Sequence, residues 1–390
     1  MRHISIAPLP KRVWTGALHC LKRVRGLACA LFALALAMPV SAAATDPLTE
    51  MEALLLAQRT RPDAAQFERV RQFADSAVKQ SPSDARAWTL LTWVRMIEHR
   101  FHDALTAATQ AEKLATNDPK LSLLKSDLLV ELGRYDEAET LTQQLADANP
   151  GIPSWTRVAY LRYLFNDLDG AIELMTMAAR AGAARGEPSA WVWLDLARLQ
   201  LDAGNAAAAT TAIAAAERAQ PGLPAARSMQ ARLQLAAGNV RAALGLYREA
   251  LTKMPSAEDA LSAWRIAHQL QDKGLEKHLG ALLEGFAKLD LARSRRALAE
   301  YLAERGRLDT ALSYARGEYA DRPDLYSAAT LARVLHRAGQ TTEARRYAKI
   351  ALALNTPDPL LADVRAVLNS PPVTEELPAK RLDVLGQGAR

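Results

Sequence analysis

The chain has 390 residues, with 49 Lys and Arg against 43 Asp and Glu, and two cysteines. Arg2, Lys11, Arg12, Lys22, Arg23 and Arg25 all precede the first acid, so the rest of the chain balances at 43 basic against 43 acidic residues, and its charge gives no reason to expect nucleic acid. Cys20 and Cys29 lie in that same leading stretch. The remainder can therefore form no disulfide, no thiolate metal site and no cysteine nucleophile.

Residues 1–44 join this basic start to an apolar run from Leu27 to Met38, which Pro39 and Val40-Ser41-Ala42 close. A basic region, an apolar run of 12 and small residues before the cut read as a secretory signal, which places the remaining chain in the periplasm. A membrane span wants roughly 20 apolar residues. The alternative is an uncleaved anchor, with the protein held at the inner membrane and facing the periplasm.

From residue 45 the chain repeats itself. The clearest unit runs from Pro224 to Pro255, two stretches of helical spacing around Gly238-Asn239. With Pro224 as position 1, Gly238 is position 15, Ala243 position 20, Tyr247 position 24 and Ala250 position 27. Taking the starts in order, Met51 opens a weaker first unit, with Phe67, Ala74 and Ala77 in register. Ala85 opens an aromatic second unit with Trp88, Trp93 and Phe101. The second unit's turn holds His99 and His102, a spacing that suits two metal ligands on a helix, although exposed turn histidines are the plainer expectation.

Pro119 and Ile152 open the third and fourth units, and an insertion, Ala181 to Ser189, precedes the fifth at Ala190. The alanine-rich run Ala206–Ala216 suits a tightly packed second helix. The seventh unit is irregular. A start at Glu258 puts Lys277 and Glu284 at positions 20 and 27; a start at Leu261 puts Gly280 and Ala287 there and is preferred. Ala292 and Leu325 open the last two units. Pro359 to Asn369 reads as a capping helix, and the proline-bearing tail 370–390 as disordered.

Self-similarity near 34 residues, Trp at position 4 (Trp88, Trp155, Trp193), small residues at position 8 (Ala159, Ala197, Ala231, Ala299, Ala332) and Ala at position 20 in seven units resemble the tetratricopeptide repeat. Position 11 departs from that pattern with Arg95, Leu129, Arg162, Gln200 and Gln234. The resemblance implies an all-α, right-handed superhelical solenoid of about nine helix-turn-helix repeats over residues 45–369. It also implies that positions 2, 5, 9 and 12 of each first helix line a concave groove. The groove candidates are then Trp93, Tyr160, Tyr163, Trp191, Arg198, Arg232 and Arg333. Aromatic and arginine side chains are the types that dominate interface hot spots.

Arg198 and Arg232, one period apart, are expected to stack into a cationic strip, with Trp191 beside Arg198, for an acidic or aromatic peptide segment. Neither arginine is expected to pack the core. No phosphate-binding loop, dinucleotide fingerprint, serine elbow or H-E-x-x-H motif occurs. The expectation is thus a non-enzymatic adaptor without cofactor or metal, holding a protein or peptide segment in a cell-envelope assembly or export system. A structural spacer, anchored or self-associating, is the alternative; membrane contact is expected only with an uncleaved leader.

Overall fold

The computed structural model describes residues 46–58, 63–182 and 186–369. The expected signal segment, Arg59, part of the inserted loop and the expected disordered tail lie outside the described residues. All described residues belong to one unit. They form nineteen α-helices and one short 3-10 turn, with no strand among them.

The helices come in hairpin pairs: α1 (Pro47–Ala57) with α2 (Ala64–Gln80), α3 (Ala85–Ile97) with α4 (Phe101–Leu114), α5 (Pro119–Glu131) with α6 (Tyr135–Ala148), α7 (Ile152–Leu164) with α8 (Leu168–Ala181). The series continues with α9 (Glu187–Asp202) and α10 (Ala206–Ala219), α11 (Pro224–Ala236) and α12 (Val240–Lys253), α13 (Ala257–Gln269) and α14 (Lys273–Leu289). It ends with α15 (Leu291–Glu304) and α16 (Leu308–Asp321), α17 (Leu325–Arg337) and α18 (Thr341–Ala351), the 3-10 turn Pro359–Leu361 and α19 (Ala362–Asn369). This is an all-α repeat solenoid of nine helix pairs closed by a final helix.

One backbone device repeats through it. Position 15 has a left-handed φ in every pair from the second to the ninth: His99, Gly133, Asn166, Gly204, Gly238, Gln271, Gly306 and Gly339. That conformation ends the first helix and lets the next backbone N–H reach back five residues, as from Arg134 to the Leu129 carbonyl at 2.8 Å and from Asn239 to the Gln234 carbonyl at 2.8 Å. Position 20 is where each second helix meets its first. Ala104, Ala138, Ala171, Ala209, Ala243, Ala311 and Ala344 are all buried there. A side chain of one methyl lets the two helices approach closely.

The seventh pair corrects both registers considered from sequence. Its first helix begins at Ala257, and Gln271 occupies the left-handed position 15. Trp264 therefore stands at position 8, where five other pairs carry alanine (Ala159, Ala197, Ala231, Ala299 and Ala332), and is 2 % exposed. Gly280, at position 24, makes the room: a Cβ there would lie 2.6 Å from the Tyr301 hydroxyl. Trp264 meets Tyr301 edge-on at 5.1 Å. A large side chain in a small residue's place is thus matched by a glycine on the second helix, which carries no side chain there.

The solenoid also touches itself across its turn. The Tyr135 hydroxyl accepts a hydrogen bond from Leu325 N at 2.8 Å, and Thr356 Oγ1 donates to the Leu164 carbonyl at 2.7 Å. Arg293 donates through Nε and Nη2 to the Ile97 carbonyl at 3.1 and 3.0 Å. The turns inside the second, third and fourth pairs thereby meet the junctions that follow the seventh, eighth and ninth. At the tightest point a Cβ on Gly133 would lie 2.4 Å from the Pro323 carbonyl oxygen.

Candidate functional site

The side chains proposed for the groove, Trp191 apart, fall into three groups. The first gathers around Asp202, near the C-terminus of α9. Arg198 and Arg232 each place a guanidinium nitrogen 3.7 Å from one of its oxygens, and the Tyr163 hydroxyl donates to Oδ2 at 2.9 Å. The Arg198 guanidinium lies over the Tyr163 ring at 4.6 Å and the Tyr160 ring at 5.7 Å. The two tyrosines stack at 6.4 Å. Arg198 and Arg232 thus meet at one carboxylate.

Two features of that neighbourhood depart from the sequence expectation. Asp202, with 2 % of its side chain exposed, stands between the arginines and offsets the positive strip. Arg198 has only 17 % of its side chain exposed and stacks on Tyr163, itself fully buried, so both pack an interior rather than line an open groove. Burial pushes the Asp202 carboxyl above the usual carboxylate range. It also carries the Tyr160 phenol up to about 12.

Trp191 belongs elsewhere. It packs with Ala190, Leu194, Leu223 and Ala226, two helical turns and about 10 Å along α9 from Arg198. Position 2 and position 9 share a side of the helix without sharing a contact.

The second group is a ladder of position 9 side chains. Arg265, Glu300 and Arg333 succeed each other in the seventh, eighth and ninth pairs. Glu300 takes Arg265 Nη2 on one oxygen at 2.7 Å and Arg333 Nη2 on the other. Burial raises the Glu300 carboxyl, but Arg333 and Arg265 together hold it down to about 2. These three side chains, with Glu304, Leu360 and Asp363, line a cavity of about 420 Å³ beneath the last helix.

The third group surrounds Trp93, which lines a cavity of about 270 Å³ with Met96, Phe101, Leu124, Asp127, Glu131 and Arg322. Asp127 is held bidentately by Arg157 at 2.7 and 2.5 Å. Glu131 pairs with Arg322 across the superhelical turn. Burial pushes the Glu131 carboxyl up to about 7, and burial together with Arg322 holds His99 down to about 3. His99 packs on Phe101 at 5.3 Å, whereas His102 Nε2 lies 3.1 Å from the Ala320 carbonyl. The two histidines therefore serve different contacts, and no cluster of metal-ligating side chains occurs among the described residues.

Sequence reasoning missed the residues that cover the first group. The Tyr326 hydroxyl donates to Asp358 Oδ2 at 2.9 Å. Burial, with Tyr160, Asp358 and Tyr163 nearby, pushes the Tyr326 phenol well up, against the opposing Arg198. No signal in the sequence pairs Tyr326, in the ninth repeat, with Tyr160 and Tyr163 five repeats earlier.

Sequence profiles described as tetratricopeptide repeat match residues 95–162, 194–263, 292–320 and 325–348. No curated protein sequence matches the chain. Among solved structures, the yeast Tom70 is similar with a TM-score of 0.50 at 13 % identity, over 80 % of this chain and 67 % of that one. The APC/C hetero-tetramer Cut9-Hcn1 is similar with a TM-score of 0.46 at 14 % identity, over 83 % of this chain. The present chain spans 57 % of that relative's length. The matched profiles, the left-handed position 15 and the buried alanines at position 20 all describe one repeat. The chain is a tetratricopeptide repeat protein.

Proposed function

We propose that residues 45–369 act as an exported adaptor whose inner face grips a segment of another protein within a cell-envelope assembly or export system. The observation that supports this reading is the convergence of Tyr160, Tyr163, Arg198 and Arg232 around Asp202. Arginine over aromatic rings is the chemistry of peptide capture, not of bond cleavage. Export is supported by the basic start, apolar run and small residues of 1–44.

The test uses a photo-reactive amino acid at Arg232 or Trp93 on the inner face, and at Arg248 on the exposed side of α12, in cells expressing the full chain. Adducts with one envelope protein from the inner positions alone are expected. Adducts from Arg248 alone would overturn the inner-face reading. Intact mass of the exported chain is expected to start at Ala43 or within two residues of it; a full-length mass in the membrane pellet would replace export with anchoring.

The self-covered inner face also favours a second reading, a structural spacer with no inner ligand. In that case neither inner position would give an adduct.

A further inference from the structure

The Tyr160–Tyr163–Arg198 stretch of the fourth and fifth pairs already has an occupant, and it is the chain itself. The Leu325–Tyr135 and Thr356–Leu164 hydrogen bonds, at 2.8 and 2.7 Å, bring the neighbouring Tyr326 and Asp358, themselves hydrogen-bonded, against Tyr160, Tyr163 and Arg198. The bonds that hold this cover across the turn are polar: Leu325 N to Tyr135, Thr356 to Leu164, Arg293 to Ile97, His102 against Ala320, and the Glu131–Arg322 pair. A repeat array is stabilised by nearest neighbours, so stacking of the pairs does not depend on contacts made a whole turn away.

We propose that Tyr326 and Asp358 are an internal stand-in for the partner, and that the contacts across the turn form a latch whose release opens the Tyr160–Tyr163–Arg198 surface to a segment presenting an aromatic ring beside a carboxylate. This rests on the inner-face reading above. The chemistry of the partner follows from what it displaces. Once the cover lifts, Arg198 and the phenols lose a ring and an anion, and a ligand that supplies both replaces them in kind. Because the cover is tethered, it competes as if highly concentrated, and the affinity seen for any partner is lowered by the fraction of molecules closed. Weakening the latch should therefore tighten binding without touching the binding residues.

The experiment uses the exported chain, which has no cysteine beyond residue 29. Tyr135→Phe with Thr356→Val removes two bonds across the turn at nearly constant shape. Asp358→Asn removes the cover's charge while keeping an oxygen for its cap on Leu360 N. The probe is a fluorescein-labelled peptide, acetyl-Asp-Tyr-Glu-Asp-Tyr-Asp-amide, with a control in which lysine replaces each acid. Spin labels at Asp136→Cys and Ala320→Cys report the distance across the turn, and circular dichroism reports helicity.

The acidic peptide is expected to bind at least tenfold more tightly to both variants than to the unmodified chain, and the lysine peptide no more tightly. The label distance is expected to broaden in the double variant. An open double variant with unchanged affinity would overturn the stand-in. An unchanged distance and affinity in both variants, or lost helicity in the double variant, would overturn the latch. Either failure is distinct from failure of the inner-face reading, which the adducts at Arg232 and Trp93 decide on their own.

Discussion

Glu131, the last residue of α5, pairs with Arg322, just past the end of α16, so that the third and eighth pairs are joined by one charged contact. Burial raises the Glu131 carboxyl from 4.5 to about 7. A folded-state value above the unfolded one means that the fold binds the proton more tightly, so this stabilisation is complete below pH 4.5 and is lost as pH rises through about 7. His99 works in the opposite sense. Its drop from 6.5 to about 3 gives stability that is present above pH 6.5 and lost on acidification.

Glu131→Gln isolates the first effect. Between pH 5 and 8 the unmodified chain is expected to lose stability relative to this variant, by up to about 3 kcal/mol. Melting curves of the two proteins across that range provide the check, and parallel curves would refute it.

Gly133 and Gly238 share position 15 and a left-handed φ, but only Gly133 faces a neighbour. Gly238→Ala is expected to cost about 1–2 kcal/mol, the backbone penalty alone. Gly133→Ala adds a clash with the Pro323 carbonyl and should cost more, while widening the label distance across the turn. Denaturant midpoints of the two variants decide it; equal losses would mean that the approach at Gly133 carries no energy.

Ala243 is fully buried at the contact between α11 and α12. Ala243→Leu is expected to overpack it at a cost of about 1–3 kcal/mol. Ala208→Leu, on an exposed part of α10, should change the denaturation midpoint little. Identical midpoints for Ala243→Leu and the unmodified chain would contradict the helix register.

Arg198 and Arg232 differ in what their loss should do, although sequence presents them as equivalents. Arg198→Glu sets a second carboxylate beside the buried Asp202 and is expected to cost on the order of 3 kcal/mol. Arg232→Gln, at a side chain 33 % exposed, should cost well under 1 kcal/mol. Adding Asp202→Asn to Arg198→Glu should restore part of the loss, and thermal melts of the three variants show whether it does.

The repeat itself was legible because its cues are local. A left-handed residue, a small residue five positions later and apolar spacing on two helices recur within one period, from Gly133 and Ala138 to Gly339 and Ala344. The register of the seventh pair was hidden because Trp264 fills the usually small position 8, and Gly280 on the following helix makes the room for it. The inner face was half legible. Arg198 and Arg232 are neighbours because stacking repeats places equal positions side by side. Their cover was not, since the meeting of Tyr135 with Leu325, and of Leu164 with Thr356, depends on how small rotations add up along the array.

Closure of the turn makes this array count its own repeats. An open solenoid tolerates the gain or loss of a helix pair, because each new unit only shifts the end further along. Here a pair inserted between the fourth and the eighth would slide Thr356 away from the Leu164 carbonyl and Arg322 away from Glu131. Length variation is then confined to the arms outside the closed segment, and a duplication within it would trade the covered form for an open one in a single step.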